Sequence, residues 1–369
     1  MIHILLSFLF YNLILLIVYL HYKRGEYYVK KSHLFLYTIL LIAFATYGTG
    51  EGEYLHYKES VEMFHSLVDV VYYNGMEIQY NYLAYLVDGN YTLWRLILFS
   101  VQFIGMSWLL YRSKLNTYPV LFCFIIICLV LYTYQRSYWG VIFYFLGLFL
   151  LYEKKNPLFL FIIALCYLSH SQNVVLLVLL PLSFIDIKKR ELLLAILLMG
   201  TIASIFKDYF TLILERGGIE GADYINSKMT TYSENELGNF GNSVGEKVIY
   251  ILRYVPVVLI VFGFVRIIFK ERKKYLSYYN PYRKVINVFM GVVLAALIVL
   301  LADLGGGTFF YRIASMSFFP CAILLPYLLI TKTIKKKTYR MYVLIFVVAS
   351  ELNYVKDIYY ALAHGASLY

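Results

Sequence analysis

Residues 157–190 read PLFLFIIALCYLSHSQNVVLLVLLPLSFIDIKKR, and the topology of the whole chain turns on how often they cross a membrane. Read as one long helix, they deliver Lys188, Lys189 and Arg190 to the side opposite Lys154 and Lys155, and every later loop is inverted. Read as two short helices meeting at LSHSQN, residues 168–173, they return the three cations to the side they left. Each half is shorter than the roughly 20 residues of a full span. The turn is therefore expected below the outer surface, where exposed backbone is tolerated only under protein or beside a water-filled cavity. His170 then lies in a recess.

The rest of the chain supports the second reading. Of 369 residues, 61% are hydrophobic, and the mean hydropathy is +0.68. Runs of apolar residues long enough to cross a core of about 30 Å recur throughout. The expectation is an all-α polytopic integral membrane protein, one transmembrane domain over residues 1–369, with about 12 helices. The spans are placed near 2–20, 34–49, 92–111, 118–134, 137–152, 157–169, 173–185, 191–206, 247–269, 285–303, 308–331 and 341–361. The first run lacks a basic leader and a small-residue cleavage site, so it is read as a retained span. With the N-terminus outside, the loops carrying Lys23 to Lys31, Arg112/Lys114, Lys154/Lys155, Lys188 to Arg190, Lys270 to Lys284 and Lys332 to Arg340 share one side. By the positive-inside rule that side is cytoplasmic. The net charge of +11 is thus a topology signal, and nucleic acid is not an expected partner. The four cysteines all fall in apolar runs, as small hydrophobes do.

The outer face collects the unusual residues. Arg95, Arg136, Arg253 and Arg312 stand near the outer ends of their spans, with Asp303 at similar depth. One such arginine is ordinarily explained by its reaching to lipid headgroups. Four on the face that the positive-inside rule disfavours point to a shared anionic ligand. Two larger external segments share this side. In residues 50–91, Tyr57, Val61, Phe64, Val68 and Val71 follow the spacing of an amphipathic helix, preceded by Glu51 and Glu53 in a glycine-flanked loop. Residues 207–246, rich in Gly, Asn, Thr and acidic side chains, are expected to form a lid. DLGGGTFFYR, residues 303–312, can cradle a phosphate with its backbone, although most glycine runs only permit a tight turn. No P-loop, dinucleotide fingerprint, HExxH or nucleophile elbow occurs, so chemistry driven by a cytoplasmic nucleotide is not expected; the expectation is of no cofactor and no metal.

Four stretches carry a resemblance: GTGEGEYLHYKESVEMF, then GMEIQYNYLAYLV, then QRSYWGVIFYFLGLFLLYEKKNPLFLFIIALCYLSHSQNVVLLVLLPL, and FFYRIASMSFFPCAILLP. In this order and spacing the chain resembles the EpsG-type, Wzy-like bacterial polysaccharide polymerases. The resemblance implies a site built from an early acidic residue with tyrosines, a Glu-x-x-Tyr element, an arginine opening a central span, a histidine ending the next, and a late arginine. Carried over, these are Glu51 or Glu53 with Tyr57, Glu77 with Tyr80, Arg136, His170 and Arg312. The first acidic position is usually an aspartate in the family; here two glutamates compete for it. The implied reaction, in the bacterial cytoplasmic membrane and on its outer face, transfers a growing glycan from undecaprenyl diphosphate to a sugar hydroxyl of another lipid-linked unit. Membrane lipids, a flippase and a chain-length regulator are the implied partners. On that reading the diphosphate falls to Arg136 and Arg312, with Arg95 and Arg253 as helpers, because the guanidinium fork suits phosphate oxygens. A carboxylate is the expected base, Glu53 ahead of Glu51 because it abuts the amphipathic helix, with His170 the competing candidate. Tyr57, Glu77 and Tyr80 are expected to contact substrate.

Two other functions fit part of this pattern. A membrane glycosyltransferase or ligase with a lipid monophosphate donor would use an acidic pair such as Glu51 and Glu53, with a divalent ion where one is needed. A lipid-linked oligosaccharide flippase also has about a dozen spans, but such transporters show repeat symmetry, and no internal repeat is present.

Overall fold

The computed structural model describes residues 2–48, 52–72, 78–133, 137–154, 169–170, 173–181, 263–268, 281–301 and 316–363, together with a few single positions between them. Among the described residues the structure is helical, and the only β-type pairing is an isolated bridge between Tyr28 and Thr117. The helices are α1 (Ile2–Lys23), α2 (Lys31–Tyr47), α3 (Gly52–Glu62), α4 (Leu67–Tyr72), α5 (Ile78–Leu86), α6 (Tyr91–Arg112), α7 (Tyr118–Thr133), α8 (Ser137–Lys154), α9 (Val174–Leu179), α10 (Pro281–Leu301), α11 (Phe318–Ile330) and α12 (Lys336–Ala363). Two stretches among them, Leu5–Lys23 and Tyr91–Arg112, are long and apolar enough to cross a bilayer, and Lys31–Tyr47, Trp139–Phe149 and Phe318–Ile330 are shorter apolar helices. The chain is a helical membrane protein. The full set of about twelve spans expected from the sequence extends over residues beyond those described.

Two compact units make up the chain, residues 1–177 with 325–369, and residues 178–324. In the first unit α6 packs on α2 and α8, while α7 packs on α1 and α12. The α6 interface follows from helical periodicity, because Trp94, Leu98, Phe99, Phe103, Met106 and Leu110 recur along one face and are buried. Val101 and Ile104 on the other face are more than half exposed. On α1, Leu6, Leu9, Leu13 and Leu16 form an exposed leucine stripe opposite buried Tyr11, Ile14 and Val18. A stripe of that kind is stable in hydrocarbon and costly in water.

The segment after α2, expected from the sequence to be external, departs from a single amphipathic helix. Tyr57, Val61 and Phe64 are buried as the spacing predicts, but Val68 is 63% exposed. The helix ends at Glu62 because a new one is capped by Ser66, two residues after Phe64. Ser66 Oγ accepts from the Asp69 N–H, and the Asp69 carboxylate accepts from the Ser66 N–H at 2.8 Å. This reciprocal arrangement is a capping box with aspartate in the usual Glu position. Glu53, expected in the loop, is the second residue of α3.

In the second unit α10 presents Val285, Val288, Phe289, Val292 and Val293 to the interior, and Phe289 meets Phe264 edge-on at 6.1 Å. The expected span 308–331 is not one helix: the backbone turns at Met316 and Ser317 before α11 begins. Ser317 Oγ donates back to Ala314 O, closing the turn. Pro320 then falls in the first helical turn, where its missing N–H leaves no bond unmade.

Candidate functional site

Of the residues marked for chemistry, Glu51, Glu77, Arg136, Arg253 and Arg312 lie outside the described residues, as do the glycine run at 305–307 and the segment 207–246. Tyr57, Tyr80, Arg95 and His170 are described, and all belong to the first unit. They are organised by the start of α6.

Asn90 caps that helix, its side chain accepting from Leu93 N at 3.0 Å. The chain reaches Asn90 through Asp88 and Gly89, both at positive φ. Gly89 passes so close to the α3–α4 break that a Cβ there would stand 3.1 Å from the His65 ring. His65 Nδ1 and Asp88 Oδ1 are 3.0 Å apart across this crossing. The bond from Asp88 holds the imidazole pKa above its ordinary value, while Ser66 holds the Asp69 carboxyl below its own.

Trp94, fully buried one turn into α6, is the hub. Tyr57 and Tyr91 stack on it at centroid distances of 6.4 and 5.9 Å, and Tyr80 meets it edge-on at 6.2 Å. These are the distances at which ring pairs attract beyond simple burial. The indole N–H donates to Tyr80 O at 3.2 Å, satisfying a buried donor. Thus Tyr57 and Tyr80, which the sequence marks separately, share one buried partner that the sequence reading did not single out.

The Tyr80 hydroxyl reaches further, donating to Ser169 O at 2.9 Å. Ser169 is helical and His170 is not, so the chain does break within LSHSQN. Several polar groups of the turn bond to one another. Ser169 Oγ donates to Cys166 O at 2.8 Å, and Asn173 Nδ2 donates to Cys166 O at 3.0 Å. Asn173 N donates to His170 O at 3.0 Å. His170 is half-buried at the rim of this knot. The knot rests on the first turn of α8 at Gly140, where a Cβ would lie 2.5 Å from Asn173 Nδ2 and 2.6 Å from Cys166 O. No side chain fits there. Trp139, beside it, locks α8 to α6 through an edge-to-face contact with Phe103 at 4.8 Å. In sequence, Arg136 immediately precedes Ser137, the first residue of α8.

Arg95 is 2% exposed, which excludes a headgroup-seeking side chain. Its guanidinium donates to Ala45 O in the last turn of α2 and lies 5.5 Å from the Tyr91 ring centroid and 5.7 Å from that of Phe99. A cation at a helix C-terminus both satisfies a carbonyl and opposes the negative end of the dipole. Arg95 therefore holds the end of the helix that leads into Glu51 and Glu53.

A family model, the EpsG family, matches residues 32–369, from the second residue of α2 through every residue of the candidate site. The chain belongs to the EpsG family. EpsG is a Wzy-like family of polysaccharide polymerases, and membership places this chain in membrane-bound polysaccharide biosynthesis. No curated protein and no solved structure matches the chain. What the EpsG resemblance marks as separate motifs, the geometry joins: the early tyrosine, the tyrosine of Glu-x-x-Tyr, the histidine turn and the start of α8 are linked by direct contacts.

Proposed function

We propose that this EpsG-family protein polymerises oligosaccharide repeat units carried on undecaprenyl diphosphate, at the outer face of the bacterial cytoplasmic membrane. The observation that carries the reading is the bond from Tyr80 to Ser169, which ties the Glu77/Tyr80 element to the His170 turn, itself seated on Gly140. Arg136, next in sequence to the positive end of α8, is the first diphosphate ligand, since helix N-termini and guanidinium groups favour the same anion. Arg312 is the second, and Arg253 assists. Arg95 is a positioning residue, acting through α2.

In the reaction, a sugar hydroxyl of one lipid-linked unit attacks the anomeric carbon of another glycan. The new glycosidic C–O bond forms as the bond to the diphosphate oxygen breaks, and that electron pair leaves on lipid diphosphate. Glu53 or Glu51 takes the hydroxyl proton, and the arginines neutralise the charge that develops on the leaving group. His170 hydrogen-bonds the diphosphate or the acceptor. The glycosyl diphosphate bond supplies the energy, so neither nucleotide nor cofactor is consumed.

The test is incubation of the purified protein with lipid-diphosphate repeat units. A ladder of product lengths is expected, unaffected by chelator. Turnover only with lipid monophosphate donors, abolished by chelator, would replace this reading with the metal-assisted glycosyltransferase. Movement of intact units across a vesicle without lengthening would replace it with a flippase.

A further inference from the structure

Three residues at the α1–α2 connection converge in a way that polymerase chemistry does not use. His21, Glu26 and His33 each offer one ligand atom, and these atoms lie within 4.8 Å of one another, with all three residues half-buried. The backbone builds this arrangement. Helix α1 ends on Gly25 at φ +87°, with Gly25 N donating to Tyr22 O at 3.1 Å and Glu26 N to His21 O at 3.3 Å. Those two bonds form a Schellman motif, which folds Glu26 back over His21. Their side chains meet at 3.0 Å. The next residues run extended against the α6–α7 loop, Val29 N donating to Asn116 O and Tyr118 N to Tyr27 O, each at 2.9 Å. His33 follows in the first turn of α2. The two imidazoles are 5.0 Å apart between centroids.

Buried Tyr118 orients the cluster from below. Its ring stacks on His21 at 5.2 Å and 9°, and its hydroxyl lies 2.8 Å from His33 Nδ1. A group hydrogen-bonded to one nitrogen of a histidine fixes the ring and its tautomer, the role outer-shell partners play at metal sites. Two imidazoles and one carboxylate are a known zinc ligand set with a fourth position left to water. Tetrahedral zinc needs ligand atoms about 3.3 Å apart, so side-chain rotations of the order of 1 Å close the site. His21 and Glu26 are 22% and 36% exposed, which leaves an ion a way in. The neighbouring Lys23, Arg24, Lys30 and Lys31 disfavour hard cations that rely on charge alone. Imidazole nitrogen selects borderline transition metals instead.

We infer that His21, Glu26 and His33 form a site for one divalent transition-metal ion of the zinc class, which clips the α1–α2 connection on the face opposite the polymerising site. His21 and Glu26 precede residue 32, where the family match begins. The site is therefore assigned to this chain rather than to the family.

The experiment is titration of the tag-free, full-length protein in detergent with Zn²⁺ against a chromophoric chelator, paired with Co²⁺ spectra and thermal melts. One equivalent should bind the wild type, give the visible bands of four-coordinate Co²⁺ and raise the melting midpoint. His21→Ala with His33→Ala should weaken binding by about 100-fold or more, and Tyr118→Phe by about tenfold. Glu26→Gln, a near-isosteric change at the half-buried rim of the cluster, should weaken binding and remove the thermal shift even if the histidine variants fail to fold. Binding no tighter in the wild type than in Glu26→Gln, or no four-coordinate spectrum, would overturn the assignment and leave the cluster a hydrogen-bonded staple.

Discussion

Tyr80 carries two loads at the residue scale, an aromatic edge on Trp94 and a hydroxyl on Ser169 O. Tyr80→Phe keeps the first and removes the second, leaving a carbonyl short of its donor, at a cost of about 1 kcal/mol. The expected result is a small drop in melting temperature and a larger drop in polymer yield, read from a length ladder. Unchanged yield would show that the tether between the Glu-x-x-Tyr element and the histidine turn is dispensable. Gly140→Ala should cost more, about 1–3 kcal/mol, because the added methyl overlaps Asn173 and the backbone carbonyl of Cys166. Arg136→Ala should abolish polymer without loss of membrane insertion, and Lys should rescue poorly because it lacks the bidentate fork. Wild-type chain lengths in Arg136→Ala would remove this residue from the mechanism. Arg95 offers a contrast. As a positioning residue it should lower kcat when changed to Lys while leaving donor KM near its wild-type value.

At the scale of elements, the α3–α4 break is held by two exposed ionic devices with opposite pH behaviour. The bond from Ser66 depresses the Asp69 pKa, so the capping contribution is complete above the unfolded carboxylate value and is lost as pH falls through the lower folded value. The Asp88 bond raises the His65 pKa, so that contribution is complete below the unfolded imidazole value and fades as pH rises through the higher folded one. An NMR titration of the His65 ring should give a pKa above that of a free histidine. Asp88→Asn should lower it; no change on substitution would show that the 3.0 Å contact is absent in solution. The capping box was legible in the sequence as Ser66-Leu67-Val68-Asp69, and reading it would have placed the break that the apolar spacing conceals.

For the whole molecule, the alternation of loop charge predicts which side each segment occupies. Single cysteines near Asn74 and Asn235 should react with an impermeant thiol reagent from outside, and one near Ser277 should not. Labelling at Ser277 would invert the orientation and put the Tyr80–Ser169 tether in the cytoplasm. Among the described residues the native thiols Cys123, Cys166 and Cys321 are buried and should stay silent in this assay, which is run in a background with Cys128 replaced.

The apolar runs and their periodicity were enough to determine that the chain is helical and membrane-embedded, because burying a hydrophobic face and spanning hydrocarbon are local demands that each segment meets alone. They also placed α1, α6, α7 and α8 within a few residues. Motif order was enough for the EpsG family. Partnership was left to the tertiary structure. Nothing local says that Trp94 joins Tyr57 to Tyr80, or that Gly140 is bare because Cys166 O and Asn173 stand against it. Arg95 shows the difference most plainly. From sequence it is one of four cations at a membrane face, whereas the packed α2–α6 interface takes its charge for the end of a helix. Charge and residue type are written in the chain, but the partner that spends a buried charge is chosen by which surfaces pack together, and that is a non-local choice.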